Sequence, residues 1–167
     1  PEGATAENNY TVNGVTYDSK TVNVKVTVTY NKETGELKAE LAKDSEAIAF
    51  QNSYETKTSI GLEGTKSLSG RTLKDGEFTF EVKDKAGKVV ATGSNKSDGS
   101  ISFNNKLNYK LSDLEKADGS YESEKTYEYT VNEVIPEGAT AENNYTVNGV
   151  TYDNSIFTVK VIVSYDQ

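Results

Sequence analysis

Residues 127–134 read YEYTVNEV, and their alternation is that of a half-buried β-strand. Tyr127, Tyr129, Val131 and Glu133 fall on one face, and Glu128, Thr130, Asn132 and Val134 on the other. The same period runs through 21–30, where Val24, Val26, Val28 and Tyr30 share a face, and NKETGE closes a hairpin onto 36–41. Further strands are expected over 46–54, 58–68, 78–82, 89–92, 101–103 and 156–165. Residues 111–117 are expected to make a single helical turn, with Ser112 and Glu115 spaced as a capping box. Asn13-Gly14 and Asn148-Gly149 are type I′ turn signals. Together these elements predict an all-β protein, an antiparallel β-sandwich with Greek-key-like connections. They also raise a question of chemistry: why a glutamate takes the fourth slot on the apolar face of 127–134.

Composition narrows the answers. The chain has 167 residues and contains no His, Cys, Met or Trp. Zinc sites of the His/Cys kind, cysteine nucleophiles, disulfides and Ser-His-Asp triads are therefore excluded, and no metal or cofactor is expected. A formal net charge of −8 without a basic patch argues against nucleic acid as a partner. No apolar run reaches the length of a membrane span. With no signal peptide visible, the chain reads as a mature segment or a fragment.

PEGATAENNYTVNGVTYD occurs twice, at 1–18 and at 136–153, and a looser match continues from 22–30 to 157–165. The offset of 135 residues predicts a parent protein built from tandem repeats, each a whole domain. Pro1 corresponds to Pro136, so the chain starts inside a repeat. Residues 1–55 are read as the C-terminal part of one repeat. Residues 56–167 are read as the N-terminal and middle part of the next, lacking its last strands.

Two further polar residues sit at apolar parity. Lys66 shares a face with Ile60, Leu62, Gly64 and Leu68, and Asn52 lies between Phe50 and Tyr54 on the face of Ile48. Lys25 and Lys160 lie instead on the polar parity of their strands. One unpaired buried charge costs several kcal/mol. A buried lysine and glutamate together are tolerated, because a low dielectric favours the uncharged amine and the uncharged carboxyl. That state is also reactive: a neutral amine is a nucleophile, and a protonated carboxyl can polarise an asparagine carbonyl and shuttle protons. Attack on the side-chain carbonyl carbon would release ammonia and leave an amide. Pattern alone leaves open a second reading, a buried hydrogen-bonded network without chemistry.

Several stretches carry a resemblance: TKSLSGRTLKDGEFTFEVKD (65–84), SDGSISF (97–103), YEYTVNEV (127–134), NGVTYD (148–153) and IAFQNSYE (48–55). In permuted order they resemble, over essentially the whole chain, the FctA-like pilin isopeptide linkage domains of Gram-positive major pilins and cell-wall adhesin stalks. The resemblance implies an Ig-like, CnaB-like sandwich in which a first-strand Lys joins a last-strand Asn under the influence of a middle-strand Glu. Carried over, the cross-link falls on Lys66 of KSLSG and Asn52 of the Ile-x-Phe-x-Asn strand. The catalytic role falls on Glu133 of the Tyr-x-Tyr-x-Val-x-Glu strand. Asn52, however, belongs to the first partial repeat and Lys66 to the second; the equivalent of Asn52 one period on is position 187. Three arrangements follow: strand complementation between copies, a fold-back within one chain, or a window on a longer fibre. A parallel crossover needs about a dozen residues or more, which disfavours the fold-back.

The expected role is structural: an extracellular stalk or fibre domain at the cell surface or cell wall, partnered by neighbouring repeats or copies. It is expected to have no enzyme activity beyond its own cross-link. The rival is a host glycan- or protein-binding module using the eleven Tyr as platforms. The identity of the two copies of PEGATAENNYTVNGVTYD over all eighteen residues favours the spacer.

Overall fold

The computed structural model describes residues 1–165. The chain forms two compact units, Pro1–Thr56 and Lys57–Gln167.

The first unit holds β1 (Thr11–Val12), β2 (Val15–Thr16), β3 (Val26–Tyr30), β4 (Leu37–Leu41) and β5 (Ser53–Tyr54). Asn13 and Gly14 have φ of 51° and 80°, as a type I′ turn requires, and they join β1 to β2. β5 extends this ladder, pairing Tyr54 with Val15 and Ser53 with Thr16. β3 and β4 form the expected hairpin, with Val26 opposite Leu41. The strand expected over 46–54 is regular only at Ser53–Tyr54. Side chains carry the contact upstream of it: the Gln51 N–H donates to Asp18 Oδ2 at 3.2 Å, and the Asp18 N–H donates to Asn52 Oδ1 at 3.1 Å. No described residue of this unit is buried, and Phe50 is 82% exposed.

The second unit holds β6 (Lys57–Ile60), β7 (Glu63–Thr65), β8 (Thr79–Asp84), β9 (Val89–Asn95), β10 (Ser100–Phe103), β11 (Leu107–Lys110), β12 (Glu124–Glu133), β13 (Thr146–Val147), β14 (Val150–Thr151) and β15 (Ile156–Ser164). Six strands form one antiparallel sheet in the order β15-β12-β8-β9-β10-β7. β6 and β11 form a separate ladder. The single strand expected over 58–68 is thus two. Gly61, which weakens strand propagation, and Leu62 separate a segment paired with β11 from one paired with β10. β11 itself is too short to stand out in the sequence, yet its Leu107 and Tyr109 pack with Val82, Ala91 and Tyr129 of the large sheet as the core. Tyr109 and Tyr129 share a hydroxyl hydrogen bond of 3.0 Å, and burial, then this bond, pushes the Tyr109 phenol up. Tyr127, Tyr129, Val131 and Glu133 all face inward on β12. At Leu111–Leu114 a single 3-10 turn forms, capped by Asp113 Oδ2 accepting the Lys110 N–H at 2.8 Å. Among the described residues, no helix is long and apolar enough to cross a membrane.

The duplicated stretch folds alike in both units. Asn144, Tyr145, Asn148 and Gly149 have φ of 53°, 53°, 50° and 75°, and their counterparts Asn9, Tyr10, Asn13 and Gly14 have 53°, 55°, 51° and 80°. The Thr11–Thr16 and Thr146–Thr151 hydroxyl pairs are both 2.8 Å apart. Identical sequence here gives identical local structure.

Asn95 is a buried polar residue that parity did not flag. Only 1% exposed, it accepts from the Phe78 N–H at 2.8 Å and donates to the carbonyls of Lys74 and Lys96 at 2.8 and 3.1 Å. Both ends of its amide are used by backbone, so it pins the 74–78 turn against β9. Asn95→Ala is expected to destabilise the second unit by about 2–4 kcal/mol, since it orphans several buried backbone groups. A denaturant titration followed by tyrosine fluorescence measures the loss.

Candidate cross-linking site

Lys66 follows directly on β7. Its backbone N–H donates to the Gly99 carbonyl at 2.7 Å. Gly99 has φ of +90°, and a Cβ there would lie 2.7 Å from the Lys66 carbonyl oxygen. Only glycine meets both conditions, so the SDGS turn fixes where Lys66 begins. Glu133 ends β12, opposite Phe80 of β8, and the next N–H, that of Val134, donates to the Thr79 carbonyl at 2.7 Å.

The two side chains meet. Lys66 Nζ lies 2.6 Å from Glu133 Oε2, and the side chains are 11% and 3% exposed. The Nζ also sits 4.4 Å from the centroid of the Phe78 ring, a cation–π distance. Tyr152, from the duplicated stretch, packs edge-on against Phe78 at 5.5 Å. Glu133 Oε1 is buried without a hydrogen-bond partner among the described residues. The pair lies at a groove of about 470 Å³, with Leu62, Ile101, Val131 and Phe157 among the apolar walls and Asp153 on the rim.

This arrangement has a definite chemical capacity. An isolated buried charge is costly, and the contact between Lys66 and Glu133 is what makes either tolerable. Transfer of the ammonium proton along the hydrogen bond would give a neutral amine, a nucleophile, and a neutral carboxyl. The amine then has a free electron pair and faces the groove.

Of the three residues singled out by parity, Lys66 and Glu133 are brought together. Asn52 lies in the first unit, exposed, where its Oδ1 accepts the Asp18 N–H. Lys160 is an ordinary surface lysine, 3.1 Å from Glu128 across the β12–β15 ladder, and Lys25 pairs with Asp44. Sequence reasoning missed Phe78 and Asp153. Phe78 alternates with Phe80 in FTFEV, a signal of burial but not of contact with an ammonium. Asp153 closes the duplicated stretch, which marks it as repeated without saying what it touches.

Residues 4–55 and 62–167 match the family model described as FctA, Spy0128-like isopeptide containing domain. The chain belongs to this family. It is a pilin-type, isopeptide-containing structural domain, all-β as that membership implies. Comparison with curated proteins and with solved structures gave no match.

Removing one member of the pair is expected to cost far more than removing both. Lys66→Met strands a buried carboxylate and should destabilise by about 3–5 kcal/mol, while Lys66→Met with Glu133→Leu should recover most of that loss. Chemical denaturation of the two single variants and the double variant reads the coupling directly. Additive losses would show that the two side chains do not depend on each other.

Proposed function

We propose that this domain braces a bacterial surface fibre through a self-made isopeptide bond between Lys66 and an asparagine in the position of Asn52. The observation that carries this is Glu133: one carboxyl oxygen is on the lysine amine, and the other is buried and unpartnered beside a groove. An asparagine side-chain amide placed in the groove would donate to Oε1 and remove the orphan. Glu133 takes the ammonium proton, Lys66 Nζ attacks the amide carbon, and the carboxyl returns a proton to the departing amide nitrogen. One C–N bond forms, one C–N bond breaks, and ammonia leaves. Exclusion of water by Phe78 and the apolar walls keeps the amine uncharged long enough to react. No external substrate turns over; each site reacts once.

The asparagine comes from a second copy, on this reading. β3 and β15 are equivalent strands, yet β3 is paired by β4, while the outer edge of β15 has no partner among the described residues. β2 and β14 are likewise equivalent, and β2 alone carries β5. The first unit in turn has no buried apolar residue among those described, and Ile48 and Phe50 are exposed. The 37–54 segment of one copy therefore offers strands and apolar side chains that the second unit of another can use. A fibre linked this way carries tension through covalent bonds, and its domains resist opening and proteolysis without cysteine. Pilin-type membership agrees with a surface-exposed protein that associates with other copies, and a cell-wall-anchored Gram-positive adhesin stalk is the setting proposed. The buried positions of Tyr109 and Tyr129 do not favour a glycan platform.

Intact mass under denaturing conditions is the test. The expected result is a ladder of covalent oligomers, each junction short of one ammonia, with Lys66 joined to Asn52 in the tryptic map. Lys66→Ala and Glu133→Ala should each abolish it. A monomer short of one ammonia would place the bond within one chain and refute the copy-to-copy arrangement. A chain of full mass at all concentrations would refute the bond between these residues.

A further inference from the structure

The duplicated stretch offers a comparison inside one molecule. Asp18 and Asp153 end identical eighteen-residue sequences with the same backbone, and each carboxylate accepts an N–H two residues on, from Lys20 and Ser155, at 2.9 Å. At Asp18 an asparagine-bearing strand is seated. Its Gln51 N–H reaches Asp18 Oδ2, and its Asn52 Oδ1 receives the Asp18 N–H. The Asp18 side chain is only 6% exposed beneath it. Asp153 is exposed, and β14 beside it has one strand partner, β13, among the described residues. Asp153 lines the same groove as Lys66 and Glu133, and the Lys66 charge is among the causes, after the Ser155 hydrogen bonds, that hold its carboxyl low.

We infer that Asp153 is the positioning residue for the incoming asparagine, holding the strand in register with its carboxylate and activating the asparagine carbonyl with its backbone N–H. The inference rests on the cross-linking function proposed above. Its occupant is residues 46–56 of a second copy, seated on Asp153 as the same segment is seated on Asp18. The carboxylate accepts the Gln51 N–H, which fixes the asparagine to one position along the groove; a slip of one residue would turn its side chain to the opposite face. The Asp153 N–H donates to Asn52 Oδ1. A backbone N–H can bond only the oxygen of that amide, so the nitrogen is directed the other way, as leaving group. When Lys66 Nζ adds to the amide carbon, negative charge gathers on Oδ1, where the N–H already points. Glu133 then supplies the proton with which ammonia departs. Asp153 thus acts on the electrophile and Glu133 on the nucleophile and leaving group.

The test is a two-by-two cycle. The full chain carrying Asn52→Ala, so that it supplies no asparagine of its own, is mixed with a synthetic peptide of residues 46–56. The peptide has either the natural Gln51 N–H or an N-methyl group there, and the chain has Asp153 or Asp153→Ala. Conjugate with Lys66, short of one ammonia, is followed by mass. Each change alone is expected to slow conjugation by about tenfold or more, as loss of a charge-assisted hydrogen bond does, and the two together no further. Slowing by the product of the two factors, or no effect of Asp153→Ala, overturns the inference. If no conjugate forms with any pair, the cross-linking reading fails on its own. Equilibrium binding of the same peptides to the chain with Lys66→Ala then judges the seat. Coupled losses of affinity support it, and independent losses or absence of binding overturn it.

Discussion

A lysine and a glutamate in contact inside a sheet protein depend on each other for their presence there. Neither Lys66 nor Glu133 could be buried alone at tolerable cost, and each is delivered by a different part of the sheet order. Glu133 comes from the central β12, and Lys66 from the end of the edge strand β7. β8, β9 and β10 lie between them in the sheet order, so their contact requires the sheet to bend back on itself. The Gly99 turn, the Asn95 pin and the Phe78 ring all bear on this one contact. Gly99 anchors the Lys66 backbone, Asn95 fixes the Phe78 N–H, and Phe78 covers the amine.

Much of this was legible in the sequence because it rests on period two. YEYTVNEV announces its inward face, and that face is the one observed. The hairpin of β3 and β4 and the two Asn-Gly turns were equally plain, since each depends on a few neighbouring residues. The alternation that marks Lys66 holds only in part. The alternation over 58–68 is interrupted at Gly61–Leu62, where the chain passes from one ladder to another, so Ile60 and Lys66 do not belong to one continuous face. Lys66 is buried because the Gly99 contact and Phe78 hold it there. β11 and Asn95 escaped notice for a similar reason: their roles come from partners distant in sequence, and four-residue strands or single asparagines carry no period.

The two units differ in what they have to bury. The second unit has a core of aromatic and aliphatic side chains between its sheets. The first has strands, turns and a hairpin but no buried residue, and apolar side chains such as Phe50 face out. Secondary structure there is held by local geometry, in particular the left-handed residues at Asn9, Tyr10 and Asn13 and the Asn8 side chain that bridges Gly3, Thr5 and Thr11.

The duplicated eighteen residues have a further consequence for assembly. On the cross-linking reading proposed above, two seats identical over these eighteen residues would not tell one copy of the strand from another, and effective concentration rather than affinity would choose between them. A strand tethered close by fills its seat first; a distant one competes only when crowded. Exchange between seats stays reversible while hydrogen bonds alone hold the strand. On that reading, an amide joining the strand to a lysine would make the pairing permanent, and order of arrival, not equilibrium, would decide which copies are joined.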